Sequence, residues 1–247
     1  MRILGSLICL ALWFCPISPA WASWSPDYLI IGAQKSGTTT LNILLNQHPD
    51  VCGHMREVHF FDTNFEKGEK WYKRQLKAKR RDKHCLTGDK TPKYIYDRSV
   101  PEKVHQLYPD VKLILILRNP VDRAYSHYWF YVRNGKESLP VEEALFTYPT
   151  YLSRSRYAEQ IKRWYAFFPK EQMLILDSND LRHYPQETMQ TVFSFLGLPE
   201  FTVTVLEPEK KSDYPPIDPE LRKTLVEYFK PYNEELETLL DRKFNWN

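Results

Sequence analysis

The chain has 247 residues, a hydrophobic fraction of 43%, 15% aromatics and a formal net charge of +3. That length and apolar content allow one large domain or two small ones with a sizeable core. The charge is too mild to argue for nucleic acid by itself, although Lys77, Lys79, Arg80, Arg81 and Lys83 cluster, as do Lys90 and Lys93.

Residues 1–22 stand apart. Arg2 precedes an apolar run from Ile3 to Cys15, then Pro16, Pro19 and Ala20-Trp21-Ala22. A short basic start, an apolar stretch of this length and an A-x-A site predict a secretory signal peptide, with an uncleaved short anchor as the alternative; the run is short for a membrane span. Residues 23–247 form the remaining domain. Its two cysteines, Cys52 and Cys85, could pair in an oxidising compartment or remain buried thiols.

The first strand is predicted over Tyr28–Ile31 and a helix over Leu41–Asn46. Between them lies Gly32-Ala33-Gln34-Lys35-Ser36-Gly37-Thr38-Thr39. Strand, glycine-bounded loop and helix is the arrangement that presents backbone N–H groups and a positive helix end to a phosphate. The spacing of Gly32 and Gly37 is that of a P-loop, but Thr38 stands where an ATP- or GTP-binding loop needs lysine, and the loop's only lysine is Lys35. No hydrophobic strand ends in an obvious magnesium-holding aspartate, so a Mg-triphosphate is disfavoured.

A connecting segment, Val51–Phe61, carries Glu57 and His59, and an aromatic, charged helix follows over Phe65–Leu76. If the connecting segment is extended, Glu57, His59 and Phe61 point to one side, and a carboxylate beside an imidazole is a candidate for general-base work; a surface Glu and His is the plain alternative. A short strand near Cys85–Gly88 leads to Asp89-Lys90-Thr91-Pro92. A helix over Val100–Leu107 precedes Val111–Leu117, an apolar run that predicts a strand buried on both faces. Arg118 ends that strand, where a fixed cation suits a phosphate. The helix from Val121 to about Arg133 carries Ser126, by spacing an ordinary helix serine, and Arg123 and Arg133, read as solvated or ion-paired. Helices near Val141–Phe146 and Arg154–Phe168, a strand over Met173–Leu176, helices near Gln186–Leu196 and Pro219–Leu240, and the polar stretch Pro208–Pro219 complete the chain. Alternating strands and helices predict a single P-loop-like α/β domain with a mostly parallel central sheet flanked by helices. Ligands in such sheets bind at the carboxyl ends of the strands, where the Lys35 loop, Arg118 and Glu57–Asp62 are expected to converge.

These residues resemble those of sulfotransferases that use 3′-phosphoadenylyl sulfate (PAPS), and most of all the heparan sulfate glucosaminyl 3-O branch. The matching pieces are Leu29–Thr39, His48-Pro49-Asp50, Glu57-Val58-His59-Phe60-Phe61-Asp62, Lys90-Thr91-Pro92, Leu115–Pro120 with Arg123-Ala124-Tyr125-Ser126, Trp164 with Phe168-Pro169, Asp218-Pro219-Glu220 and the final Phe-Asn-Trp. The resemblance implies that Lys35, Ser36, Gly37, Thr38 and Thr39 wrap the 5′-phosphosulfate of PAPS and that Arg118 and Ser126 hold its 3′-phosphate. It implies Glu57 as the base for an acceptor hydroxyl, His59 and Asp62 as its orienting groups, and Lys90 beside the reacting centre. It further implies an oligo- or polysaccharide acceptor and an enzyme working in the secretory pathway, in the Golgi lumen, with no metal and no nucleic acid; a membrane is involved only if residues 1–22 stay attached. The animal enzymes carry a longer, disulfide-closed loop with a donor-contacting lysine before the last helices. Here only Glu207–Pro215 stands there, as in short microbial and algal relatives, and Lys210 or Lys211 takes that lysine's place. The competing readings are a P-loop-like small-molecule kinase and a secreted carbohydrate-binding module without catalysis. A start misassigned at Met1 would instead give a cytoplasmic protein beginning near Ser23.

Overall fold

The computed structural model describes residues 25–77, 85–204 and 214–246. Residues 1–22, the basic residues of 79–83, and Lys210 and Lys211 lie outside the described residues.

Four strands form one parallel sheet: β1 (Tyr28–Gly32), β2 (Gly88–Lys90), β3 (Lys112–Leu117) and β4 (Met173–Asp177), in the order β2-β1-β3-β4. The α/β expectation therefore holds, and every pair is parallel. The chain moves outward from β1 to β2, then crosses back to β3. The switch point of the topology thus lies between β1 and β3, the place where ligands of such sheets bind beyond the strand ends.

Around the sheet pack α1 (Thr38–Leu45), α2 (Phe60–Thr63), α3 (Glu69–Lys77), α4 (Val100–Leu107), α5 (Pro120–Arg133), α6 (Val141–Thr147), α7 (Thr150–Ser153), α8 (Tyr157–Tyr165), α9 (Ser178–His183), α10 (Pro185–Leu196) and α11 (Pro219–Leu240). Strand side chains alternate between faces. Leu29, Ile31, Leu113, Leu115 and Leu117 face a core with Phe60, Phe61, Tyr72, Tyr94 and Trp164. Tyr28, Ile30, Ile114 and Ile116 face another with Leu41, Leu45, Met189 and Phe193. Both faces of β3 are covered, as its continuous apolar run requires.

Several boundaries differ from expectation. Thr38–Thr40 belong to α1 itself, whose start is set by Gly37 at φ 97°. Strand β2 lies at Gly88–Lys90, later than the sequence suggested, because Gly88–Lys90 register against Tyr28–Ile30. The helix expected over Arg154–Phe168 is the shorter α8, and α7 before it and α9 were not foreseen.

Cys52 and Cys85 are joined by a disulfide, with Cα atoms 5.7 Å apart. It ties the chain just before Glu57 to the chain just before β2, next to a parallel bridge between Val51 and Leu86. Closing a loop of 33 residues restricts the unfolded chain by about 3–4 kcal/mol in the loop-entropy account.

Candidate active site

The loop between β1 and α1 is built by glycines where the backbone demands them. A Cβ on Gly32 would come within 2.4 Å of Ile95 Cγ2, so the first position tolerates no side chain. Gly37 and Lys35 both adopt left-handed backbone, at φ 97° and 72°. For a lysine that conformation costs of order 1–3 kcal/mol and is held by surrounding structure. Here Arg118 Nη1 donates to the Lys35 carbonyl at 3.0 Å, and Ala33 N–H donates to Ile116 at 2.8 Å. The residue just after β3 thus fixes the loop that follows β1, across the switch point. Ser36 and Thr38 are buried and Thr39 is exposed.

Positive charge gathers at this place. Lys35 is surrounded by Arg133, Arg118 and Arg123, and burial followed by those charges lowers its ammonium below the ordinary lysine value, against an opposing influence from Tyr214. Its Nζ lies 4.6 Å over the Phe130 ring. Arg123 is fully buried; it donates to Ser155 and to the Tyr151 carbonyl, and burial brings it down to about 10, still charged at neutral pH. The expectation of a solvated or paired Arg123 is therefore wrong, whereas Arg133 is exposed. Arg154, stacked 4.5 Å over Tyr96, donates to Gln34 Oε1 at 3.1 Å. Among the described residues none of Lys35, Arg118, Arg123, Arg133 and Arg154 has a carboxylate within ion-pair distance, although other cations of the chain do. A buried arginine without a counter-charge, as Arg123 is, is costly, and this group of cations could be neutralised by an anion.

Ser126 is buried on α5, the helix that Asn119 caps by accepting from Val121 N–H at 2.9 Å and Asp122 N–H at 3.3 Å. Arg118 and Ser126 therefore belong to one rigid β3–α5 unit.

The Glu57 segment is not extended. His59 takes a left-handed φ of 53° and starts α2, so Phe61 turns into the core while Glu57 and His59 stay partly exposed. The turn makes a chain of alternating charge. Lys90 Nζ donates to Glu57 Oε1 at 3.3 Å; His59 Nε2 is 3.2 Å from Glu57 Oε2; His59 Nδ1 is 2.9 Å from Asp62 Oδ2; Lys93 Nζ is 3.3 Å from the same oxygen. Hydrogen bonding to Asp62 and then to Glu57 raises the imidazole to about 9, so it is an imidazolium at neutral pH. Burial pushes the Glu57 carboxyl up, but the His59 hydrogen bond and Lys90 outweigh it and hold it below the usual glutamate range. Asp62 is lowered in the same way, its burial being offset by His59 and Lys93.

Sequence reasoning missed what holds this segment. Asp89 in β2 is fully buried and accepts from Tyr94 Oη at 2.7 Å and Thr91 Oγ1 at 2.9 Å. Tyr94 Oη also receives Phe60 N–H at 2.9 Å, and Thr91 Oγ1 receives His59 N–H at 3.3 Å. One buried carboxylate thereby anchors both the Lys90 and the His59 backbones. The available signal was an aspartate directly beside Lys90 in a short strand. Strand β4 does end in an aspartate, contrary to expectation, but Asp177 accepts from Asn179 N–H and Trp246 Nε1. Among the described residues no group of three or more His, Cys, Asp or Glu is placed to hold a metal.

A glycine-bounded loop ringed by cations, at the switch point of a parallel sheet, is the geometry of a P-loop-like α/β fold. The sequence model of the sulfotransferase domain matches residues 25–212, and the chain belongs to the sulfotransferase family. It is 30% identical to heparan sulfate glucosamine 3-O-sulfotransferase 5 of Mus musculus, over 90% of this chain and 74% of that protein. It is 31% identical to bifunctional heparan sulfate N-deacetylase/N-sulfotransferase 4 of Mus musculus, over 88% of this chain and 30% of that protein. The crystal structure of a sulfotransferase from Alicyclobacillus acidocaldarius superposes with a TM-score of 0.80 at 26% identity, covering 90% of this chain and 99% of that one.

Proposed function

We propose that the enzyme transfers the sulfuryl group of PAPS to a hydroxyl of a carbohydrate, with an amine as the less favoured acceptor group. The observation that carries this reading is the set of cations without carboxylate partners around the Lys35 loop, in a member of the sulfotransferase family. PAPS carries anionic groups at both ends of its ribose, which suits two separate cationic positions. Lys35 with the N–H groups of Ser36–Thr39 would hold the phosphosulfate, and Arg118 with Ser126 the 3′-phosphate. Lys210 or Lys211 would add a further donor contact.

The chemistry needs little more. The bond from sulfur to the leaving phosphate oxygen breaks as the bond to the acceptor oxygen forms, and the acceptor proton passes to Glu57. Lys35 stabilises the charge left on the phosphate. His59, oriented by Asp62, and Lys90 keep Glu57 ionised and pointed. A kinase reading lacks the lysine that Thr38 displaces, and a mere binding module leaves the Glu57–His59–Asp62 array without a task.

The carbohydrate acceptor is supported by the names of the relatives, whose printed substrate is heparan sulfate. Purified protein incubated with labelled PAPS and a panel of heparan sulfate, chondroitin and uncharged glucans is expected to label a polysaccharide. Binding of adenosine 3′,5′-bisphosphate (PAP), the donor without its sulfuryl group, by calorimetry without labelling of any panel member would remove the carbohydrate assignment and keep the donor.

We further assign the enzyme to the secretory pathway, in the Golgi lumen, with residues 1–22 as a cleaved signal or short anchor. The Cys52–Cys85 disulfide suits an oxidising compartment. Among the described residues no helix is long and apolar enough to cross a membrane. Intact mass of protein from its host is expected to give an oxidised chain, beginning at Ser23 where the signal is cleaved or at Met1 in a membrane fraction where it stays as an anchor. A reduced cytosolic chain would overturn the assignment.

A further inference from the structure

The segment after α11 is bound to two strand ends at once. Trp246 Nε1 donates to Asp177 Oδ2 at 2.9 Å, where β4 ends. The Trp246 carbonyl accepts from Asn119 Nδ2 at 2.6 Å, where β3 ends. Its ring lies 4.2 Å from Phe244 and meets Tyr157 edge-on at 6.0 Å, and Tyr157 Oη donates to the Arg118 carbonyl at 2.9 Å. Arg242, stacked on Phe244, anchors the same segment to the Ile175 carbonyl and to Asp180. Trp246 therefore reaches both residues of the Arg118–Asn119 turn, one through a direct bond and one through Tyr157.

We propose that Trp246 is a positioning residue for the donor site, fixing the β3–α5 turn that presents Arg118 and Ser126 to the 3′-phosphate of PAPS. The inference rests on the reading of those two residues as donor ligands. Trp246, Asn119 and Asp177 are all buried, so a lost bond leaves a polar partner unsatisfied in a dry place. The Asn119 side chain is shared: its oxygen caps α5 while its amide holds Trp246. Releasing the amide frees the cap to rotate, and with it the orientation of the turn. Ligand geometry off by about 1 Å is enough to weaken a preorganised site markedly.

Two variants separate positioning from bulk stability. Trp246→Phe keeps an aromatic ring against Phe244 and Tyr157 but removes the N–H. Asn119→Asp keeps an oxygen to cap α5 but removes the donor to the Trp246 carbonyl. Each is expected to raise the PAP dissociation constant and the KM for PAPS by about tenfold, with kcat at saturating PAPS and the KM for acceptor within about twofold of wild type. Arg118→Ala, measured alongside, is expected to lose about 10- to 100-fold in PAP affinity. If Arg118→Ala binds PAP normally, the donor-site reading fails and the proposal with it. If Arg118→Ala is weak while a folded Trp246→Phe or Asn119→Asp binds PAP like wild type and only melts earlier, the donor site stands and the positioning role is overturned. Should Trp246→Phe fail to fold, Asn119→Asp decides.

Discussion

Lys35→Ala should lose most of the transfer activity, about a hundred- to thousand-fold in kcat. Removing one preorganised group that meets developing charge costs about 3–4 kcal/mol in comparable sites. Lys35 is the only side-chain cation between Gly32 and Thr39, and its backbone is held left-handed by the loop and by Arg118. Nearby guanidinium groups and burial both disfavour its charge, a penalty that an incoming phosphosulfate relieves. The resting contact over Phe130 is worth only about 0.5–2 kcal/mol, so turning the ammonium toward an anion is not opposed strongly. Single-turnover rates at saturating PAPS provide the measurement. A rate within about threefold of wild type would remove Lys35 from the mechanism. Loss of PAP affinity alone, with kcat intact, would make it a ground-state ligand only.

The parts of the fold that were legible in the sequence are those governed by local pattern. Val111–Leu117 could only be a strand covered on both faces, and the α5 start is written in Asn119-Pro120, a capping side chain followed by proline. The donor loop was legible because glycine spacing and one lysine encode backbone shape directly. The base segment was legible in composition but not in conformation. Alternation of Glu57, His59 and Phe61 suggested an extended strand, whereas His59 takes a left-handed turn that buries Phe61 and brings Glu57, His59 and Asp62 together. That turn is imposed by Thr91 and Tyr94, 32 and 34 residues away in sequence and both held by Asp89, which no local pattern reveals. Arg123 is the same lesson at larger cost. A helix arginine reads as surface, and only tertiary packing shows it buried against Ser155 and Tyr151. The contacts of Asp89 and Trp246 were likewise invisible, since each acts through residues brought close by the sheet.

Glu57→Gln should abolish most activity while leaving PAP affinity nearly unchanged. The amide keeps the shape but cannot take a proton, and general-base assistance is worth about 10²–10⁴-fold. The wild-type pH profile follows from the neighbours. Glu57 is held below the usual glutamate range, so it is an ionised base throughout the neutral region, and the acid limb should fall below its ordinary value of about 4.3. His59 is raised to about 9 from about 6.5 in an unfolded chain. The stability contributed by its charge is thus fully present below about pH 6.5 and is lost as pH rises through about 9. The same deprotonation removes the orienting imidazolium, so the wild-type rate should decline as pH passes about 9. In His59→Gln, where a neutral amide replaces the titrating ring, that alkaline step should vanish from a lowered plateau. Calorimetry with PAP and pH–rate profiles on the three proteins give the decision. If Glu57→Gln loses PAP binding as badly as Arg118→Ala, Glu57 is a structural carboxylate and the base must be sought elsewhere. If the alkaline limb survives in His59→Gln, the group titrating near 9 is not the imidazole that bridges Glu57 and Asp62.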